Sequence, residues 1–120
     1  SGQFIAHLQE FCTERAQAKD KTQILMRRPW TQDDPEAEDY NTTYFRLKDL
    51  HDHLIRNKFN HFSTPGQIIA ALSNIEGFGE IKDRQKFFKL KGKGVNVWSI
   101  PAFPKQDSEF DQEEKDVIPF

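Results

Sequence analysis

The sequence predicts an α+β fold in which three helices are followed by a β-hairpin and then by an acidic tail. Two observations support this prediction. Apolar residues recur at helical spacing in three separate segments, and two strand-like runs then flank a glycine-rich turn. With 120 residues, 36% of them hydrophobic, the chain has material for one modest core. We therefore place one domain at residues 1–104 and a disordered acidic tail at residues 105–120.

The first predicted helix covers about residues 3–18, because its apolar residues share one helical face. Those residues are Phe4, Ile5, Leu8, Phe11 and Cys12. We expect the Cys12 thiol to be buried on that face. The chain contains no other cysteine, so no internal disulfide can form, which is typical of a reducing cytoplasm.

The middle of the chain alternates short apolar segments with a loop. Residues 24–26 are predicted to form a short strand or a tether, and residues 29–41 have the composition of an acidic loop with two prolines. Residues 42–46 are β-prone, and a second helix is predicted over residues 48–56. Its apolar face comprises Leu47, Leu50, Leu54 and Ile55.

The third helix has the clearest local signal at its start. Thr64 can act as N-cap, Pro65 suits the first helical position, and Gln67 completes a capping box. Gly77 is placed to end the helix. The predicted buried face comprises Ile68, Ile69, Leu72 and Ile75.

The β-hairpin follows the third helix. Its strands are predicted at residues 85–91 and 95–100, and the glycine-rich residues 92–94 are predicted to form the turn. Pro101 and Pro104 then end the regular structure.

This order of helix, short strand, two helices, strand, turn and strand resembles that of the winged helix-turn-helix family over about residues 3–103. Residues 44–101 are most similar to the winged-helix domains appended to replication proteins of phages and mobile elements. The resemblance implies DNA binding, in which the third helix enters the major groove and the hairpin, or wing, contacts phosphates or the minor groove.

Charge is segregated along the chain, although the net charge is only −2. Residues 33–39 contain five acids and no base. Residues 80–93 contain six bases and two acids, whereas residues 105–116 contain six acids and two bases. A basic hairpin between two acidic segments indicates a local site for an anionic partner.

The basic hairpin provides most of the candidate DNA-binding residues, namely Lys82, Arg84, Lys86, Phe87, Lys89, Lys91 and Lys93. Strand alternation predicts that Phe87 shares an exposed face with Lys89 and Lys91, while Phe88 and Leu90 point inward. An exposed aromatic ring among lysines suits base stacking on single strands. The alternatives are that Phe87 and Trp98 are core residues and that the lysines only protect a sheet edge from aggregation.

Two further sets of candidate DNA-binding residues lie outside the hairpin. The third helix carries no Lys or Arg, so its outward residues, Gln67, Ser73 and Asn74, would gain little from the phosphate backbone although Gln and Asn can bind adenine edges. Arg27 and Arg28, beside Trp30, either extend a DNA path or pair with the acids of residues 33–39.

The last residues form an acidic run that closes in Ile-Pro-Phe. This run resembles the C-terminal tip of bacterial single-stranded DNA-binding proteins, although Lys115 interrupts the acids and Val117 replaces an acid. The resemblance implies a docking peptide for a replication or repair protein. The residues that would contact such a partner are Asp116, Ile118, Pro119 and Phe120. One alternative is a solubilising tail. Another, which is compatible with docking, is a tail that folds back on the basic hairpin and competes with DNA.

We find no pattern for catalysis or for a metal site. His51, His53 and His61 lie near Asp49 and Asp52, but residues two apart do not share a helical face, so we expect surface histidines. No phosphate-binding glycine loop and no nucleophile with a matching base is present in the sequence. We expect no cofactor, no small-molecule substrate and no membrane span.

The favoured function is a DNA-binding accessory module of a bacterial or phage replication or repair system, or a non-catalytic domain of a larger replication enzyme. Single-stranded or forked DNA is favoured because the third helix is neutral. The alternatives are a sequence-specific transcription regulator that uses the third helix, and a winged helix that makes only protein–protein contacts.

Overall fold

The computed structural model describes residues 2–104, and the α+β class is confirmed over this range. The elements are α1 (Gly2–Thr13), a 3-10 helix (Lys21–Met26), β1 (Trp30–Gln32), β2 (Thr42–Phe45), α2 (Leu47–Arg56), α3 (Pro65–Leu72), a second 3-10 helix (Ile81–Asp83), β3 (Gln85–Leu90) and β4 (Lys93–Pro101). The predicted tail lies outside the described residues, and so do its proposed contact residues Asp116, Ile118, Pro119 and Phe120.

The four strands form one antiparallel sheet in the order β1-β2-β4-β3. Phe45 pairs with Trp98, and Phe88 pairs with Val95. Directly paired residues point to the same side of a sheet, and successive residues point to opposite sides. The sheet therefore has a helix side, which carries Phe45 and Trp98, and an opposite side, which carries Phe88 and Val95.

The main core lies between the helix side of the sheet and the three α-helices. Its fully buried members include Phe4 and Leu8 of α1, Leu50 and Leu54 of α2, Ile68 and Leu72 of α3, and Phe45 and Ile100 of the sheet. Cys12 of α1 is also buried here, as the sequence predicted, and burial raises the pKa of its thiol. A raised pKa and burial both disfavour the thiolate that a nucleophilic cysteine requires.

A second, smaller cluster covers the opposite side of the sheet. Ile24 of the 3-10 helix Lys21–Met26 is fully buried against it, and Trp30 stacks on Tyr44 with ring centroids 5.5 Å apart. The short strand predicted at residues 24–26 is therefore wrong, because these residues complete the 3-10 helix Lys21–Met26. The Asp20 side chain caps this 3-10 helix by accepting from the Thr22 backbone amide at 2.9 Å.

Two other predictions differ from the structure near the N-terminus. The first helix ends at Thr13 rather than near residue 18, since the apolar face that holds it on the core ends at Cys12. The predicted acidic loop begins with β1, whose residue Trp30 pairs with Tyr44 and is buried. Burial of Trp30 and pairing with the edge of β2 stabilise a strand here, although the composition of the segment is typical of a loop.

The start of α3 is confirmed, but its end is not. The Thr64 hydroxyl accepts from the Gln67 amide at 3.3 Å, and the Gln67 side-chain oxygen accepts from the Thr64 amide at 3.2 Å. The helix stops at Leu72, and Ser73 is its C-cap. Gly77, with φ of 83°, ends the turns that follow rather than the helix itself.

The hairpin turn is shorter than predicted. Leu90 pairs with Lys93, so only Lys91 and Gly92 connect the strands. Both have positive φ, 51° and 81°, which is the pattern of a type I′ turn. Lys93 and Gly94 therefore belong to β4, and Lys91 lies in the turn instead of on the same strand face as Phe87.

His53 is not a surface histidine, because only 1% of its side chain is exposed. It lies on α2 against α1 rather than beside His51 and His61. Within residues 2–104, no helix combines the length and the apolar character that a membrane crossing requires.

Candidate nucleic-acid interface

Phe87 is the most exposed large apolar side chain of the described residues, with 67% of its surface accessible. It pairs with Asn96 on the helix side of the sheet, and its ring lies over the backbone of Gly94. A side chain at Gly94 would collide with that ring. The outer end of the Phe87 ring therefore rests against β4 at Gly94. The exposure that strand alternation predicted for Phe87 is confirmed, as is the inward position of Leu90.

Trp98, the other aromatic candidate, is a core residue. Only 7% of it is exposed, and it packs in the cluster between the sheet and the helices. Trp98 therefore offers no face for stacking, in agreement with the core alternative that the sequence left open.

Lys86, Lys89, Lys91 and Lys93 lie on the same hairpin as this ring, and all four are exposed. Among residues 2–104, none of them forms an ion pair with a carboxylate. We call these four lysines together with Phe87 the hairpin site.

The lysines of the hairpin site lie on both sides of the β3–β4 ribbon. Lys89 is paired with Gly94 on the helix side, next to Phe87. Lys86 is paired with Val97, and Lys93 with Leu90, on the opposite side. Because Lys91 occupies the turn, positive charge surrounds the end of the ribbon rather than forming a single flat face.

Arg84 has a structural role that sequence reasoning missed. Its Nε donates to the Phe78 carbonyl at 2.7 Å, and one terminal nitrogen donates to the Gly77 carbonyl at 3.1 Å. Its guanidinium also lies 5.6 Å from the Phe78 ring centroid. Arg84 therefore fixes the segment after α3 to the start of β3, and these donors are not available to a phosphate.

Lys82 lies apart from the hairpin site. It belongs to the 3-10 helix Ile81–Asp83, and its ammonium is 3.6 Å from the Glu80 carboxylate in an exposed pair. Such a pair is weak, so Lys82 can still reach an anion. It does not lie on the ribbon with the other lysines.

Lys21 is a basic residue that sequence reasoning did not connect to the hairpin. Its ammonium lies 4.4 Å from the Phe88 ring centroid and 5.7 Å from the Trp30 ring centroid, on the opposite side of the sheet. No local sequence signal could have predicted this, because Lys21 reaches β3 only through the packing of the 3-10 helix Lys21–Met26. It extends the basic surface beyond the hairpin.

The neighbouring Asp20 also lies near the hairpin turn. Its pKa is held below the ordinary value, chiefly by a hydrogen bond from the Thr22 hydroxyl, with a smaller contribution from the Lys91 ammonium. Contacts between this 3-10 helix and β3 hold the two elements close together.

The three polar candidates on α3 do not form a row. The Gln67 side-chain oxygen accepts from the amides of Ser63 at 2.7 Å and Thr64 at 3.2 Å, so it is committed to the helix cap. The Ser73 hydroxyl donates to the Ala70 carbonyl at 2.7 Å, and Asn74 follows the helix in a turn. The outward surface of α3 therefore carries no charge, as the sequence predicted. It is also shorter than predicted, because the helix ends at Leu72.

Arg27 and Arg28 follow the 3-10 helix Lys21–Met26. Arg27 is its C-cap, with φ of 65°, and is exposed, whereas Arg28 is half-buried. In the described part of the chain, neither forms an ion pair with the acids of residues 33–39. Trp30 is buried against Tyr44 and is not available to a base. Of the basic-aromatic cluster that the sequence suggested, only the two arginines remain as candidates.

A cleft of about 330 Å³ lies beside the start of β3. The Tyr44 hydroxyl donates to Asp39 at 2.6 Å there, and burial together with Asp39 raises the pKa of Tyr44. Asp83 and Arg84 also line the cleft. Its mixed charge does not favour a phosphate, and the basic surface therefore centres on the hairpin site.

The hairpin site offers one exposed aromatic ring and four exposed lysine side chains on a two-stranded ribbon. A phosphate backbone can contact the lysines while a base stacks on the ring. A scan against protein-family models and searches of curated proteins and of solved structures found no match to this chain.

Proposed function

We propose that this chain is a DNA-binding accessory module of a bacterial or phage replication or repair system, with the hairpin site as its DNA contact. The observation that carries the proposal is the exposed ring of Phe87 on a hairpin with four exposed lysines, none of which forms an ion pair with a carboxylate within residues 2–104. A ribbon that only needed protection from aggregation would not require an exposed phenylalanine at its centre.

The arrangement of elements supports a winged-helix interpretation. Three helices pack on one side of a sheet in which β2 is paired with β4, and β4 is paired with β3. In that interpretation α2 and α3 form the helix-turn-helix, and β3 and β4 form the wing. The strand β1 and the 3-10 helix on the opposite side would then be additions to the winged helix.

Single-stranded or forked DNA is the favoured ligand. The segment Pro65–Leu72 carries no charged side chain, and its Gln67 oxygen is committed to the cap. A helix that binds in the major groove needs nearby cations to gain affinity from the phosphates. The transcription regulator that uses α3 is therefore less well supported than a module that binds DNA through its hairpin.

Replacement of Phe87 tests the stacking contact. Phe87→Ala should weaken binding to a single-stranded oligonucleotide by roughly 1–3 kcal/mol, because one base loses its aromatic partner. Phe87→Trp should retain the affinity, and Phe87→Leu, which still covers Gly94 without an aromatic face, should not. Fluorescence anisotropy at fixed salt measures all three variants, and equal affinities for Phe87→Ala and the parent would exclude stacking on this ring.

We also propose that residues 105–120 recruit a replication or repair protein through Ile118, Pro119 and Phe120. The support is the sequence itself, in which apolar residues follow an acidic run. An apolar anchor provides affinity, and the acids steer the encounter with a basic-rimmed pocket.

Deletion of Phe120 should abolish this recruitment while leaving DNA affinity nearly unchanged, because one apolar residue adds little to electrostatic binding. The measurement is binding of purified replication and repair proteins that recognise the tip of bacterial single-stranded DNA-binding proteins. A synthetic peptide of that tip should compete with the parent chain. Undiminished binding of the same proteins after the deletion would show that the similarity of the tail is coincidental.

A further inference from the structure

Three side chains with metal-ligating atoms meet where α1 packs on α2, away from the hairpin site. The Glu10 Oε1 atom lies 3.3 Å from His53 Nε2 and 3.9 Å from His7 Nδ1. One ligand atom from each of the three residues falls within 4.8 Å of the other two.

The sequence spacing and the packing both favour this grouping. His7 and Glu10 are three residues apart on α1, so they share one helical face. His53 projects from α2 against that face, and 1% of its side chain is exposed, compared with 27% for His7 and 40% for Glu10. The group is thus fixed on its inner side and open to solvent on its outer side.

The distance between Glu10 and His53 fits a tetrahedral ion. Metal bonds of about 2.0–2.1 Å to nitrogen and oxygen place neighbouring ligands of a tetrahedral Zn²⁺ roughly 3.3–3.4 Å apart. The 3.3 Å between Glu10 Oε1 and His53 Nε2 already has this value. The 3.9 Å between Glu10 Oε1 and His7 Nδ1 is longer, and a small rotation of the partly exposed His7 or Glu10 side chain would shorten it. Three protein ligands also leave the fourth position for water.

The present hydrogen bonds define what an ion must displace. Arg15 can only donate, and its Nη1 lies 2.9 Å from His53 Nδ1, so Nδ1 accepts and the ring hydrogen is on Nε2, facing Glu10. A metal on Nε2 requires that hydrogen to move to Nδ1, with no net release of a proton. The two donors that face Nδ1, Arg15 and the Asn57 side-chain amide at 3.3 Å, must then turn away. Arg15 is exposed and lies beyond the end of α1 at Thr13, so it can do so.

We propose that His7, Glu10 and His53 form a binding site for a divalent transition-metal ion of the Zn²⁺ class, which joins α1 to α2. Two imidazoles and one carboxylate are ligands that such ions prefer, and hard ions such as Mg²⁺ favour all-oxygen sites. The site needs none of the hairpin residues and is independent of DNA binding.

Isothermal titration of the purified chain with ZnCl₂ tests the proposal, with one ion bound per chain as the expected result. His7→Ala and Glu10→Gln should each weaken binding by at least the roughly 10–100-fold that loss of even an outer partner causes. Both residues are partly exposed, so these variants should fold, whereas loss of the buried His53 side chain could unfold the chain. His51→Ala, on the same helix as His53, is the matched control and should leave the affinity unchanged.

Arg15→Ala separates a metal site from a hydrogen-bonded contact between helices. Removal of the competing cation should strengthen Zn²⁺ binding severalfold, and Zn²⁺ should raise the melting temperature of this variant and of the parent but not that of His7→Ala. The proposal is wrong if no binding is detected, or if His7→Ala and Glu10→Gln bind Zn²⁺ as tightly as His51→Ala.

Discussion

Removing three charges at the end of the hairpin should weaken DNA binding about 100-fold near 0.1 M salt, whatever the base sequence. The change is Lys89→Ala and Lys93→Ala combined with Lys91→Asn. Each phosphate contact to a single strand contributes about 0.7 units of log K for each tenfold change in salt, so three contacts account for roughly two units. Equilibrium anisotropy with several unrelated oligonucleotides measures the loss.

Asparagine is the better replacement in the turn because Lys91 has φ of 51° and precedes Gly92. Asn-Gly is a favoured type I′ pair, whereas alanine would add backbone strain. A charge-matched control removes three bases outside the hairpin, with Lys48→Ala, Arg56→Ala and Lys58→Asn, and Lys58 likewise has positive φ. The control should lose far less affinity. An equal loss would mean that overall charge, rather than the hairpin site, determines binding.

Leu72→Ala should lower the free energy of unfolding by roughly 2–5 kcal/mol, since it leaves a cavity in the main core. Leu72 is fully buried in the cluster that also contains Phe4, Leu54 and Ile100, where α3 meets the sheet. Urea denaturation followed by circular dichroism measures the change. Ile55→Ala is the matched control, because Ile55 is 50% exposed on α2 and should cost much less.

A denaturation midpoint for Leu72→Ala equal to that of Ile55→Ala would contradict the packing of α3. The interpretation of the hairpin site would then lose its basis too, since α3 and the sheet share this core.

Elements defined by local chemistry could be predicted from the sequence. The capping box of Thr64 and Gln67 depends on residues three apart, and the apolar faces of α1 and α2 repeat at helical spacing. The outward position of Phe87 likewise follows from alternation within one strand. Each of these features depends on a few neighbouring residues, so the packing of the rest of the chain does not change it.

Elements defined by distant partners could not be predicted. The strand β1 has three residues and exists because it pairs with β2. The 3-10 helix Lys21–Met26 is held by burial of Ile24 on the opposite side of the sheet. The sequence places the hairpin turn at residues 92–94 because Gly92 and Gly94 suit a turn equally well. Only the pairing of Leu90 with Lys93 shows that the turn consists of Lys91 and Gly92 and that Lys91 has positive φ.

In the candidate site, too, some residues could be predicted from local sequence and others depend on distant partners. Its lysines were evident from composition, but the structural role of Arg84 depends on carbonyls of Gly77 and Phe78 that follow α3. The contribution of Lys21 depends on a helix that the sequence did not indicate. The grouping of Glu10 with His53 joins two helices, so neither helix alone contains a recognisable motif.

The salt dependence of DNA binding tests the central claim most directly. Anisotropy titrations over a range of NaCl concentrations compare the parent and the hairpin variant on single-stranded, forked and duplex DNA of equal length. We expect the parent to bind single-stranded or forked DNA more tightly than duplex, with a log–log slope steeper than that of the variant by about two units. Identical slopes and affinities for the parent and a folded hairpin variant would contradict the claim.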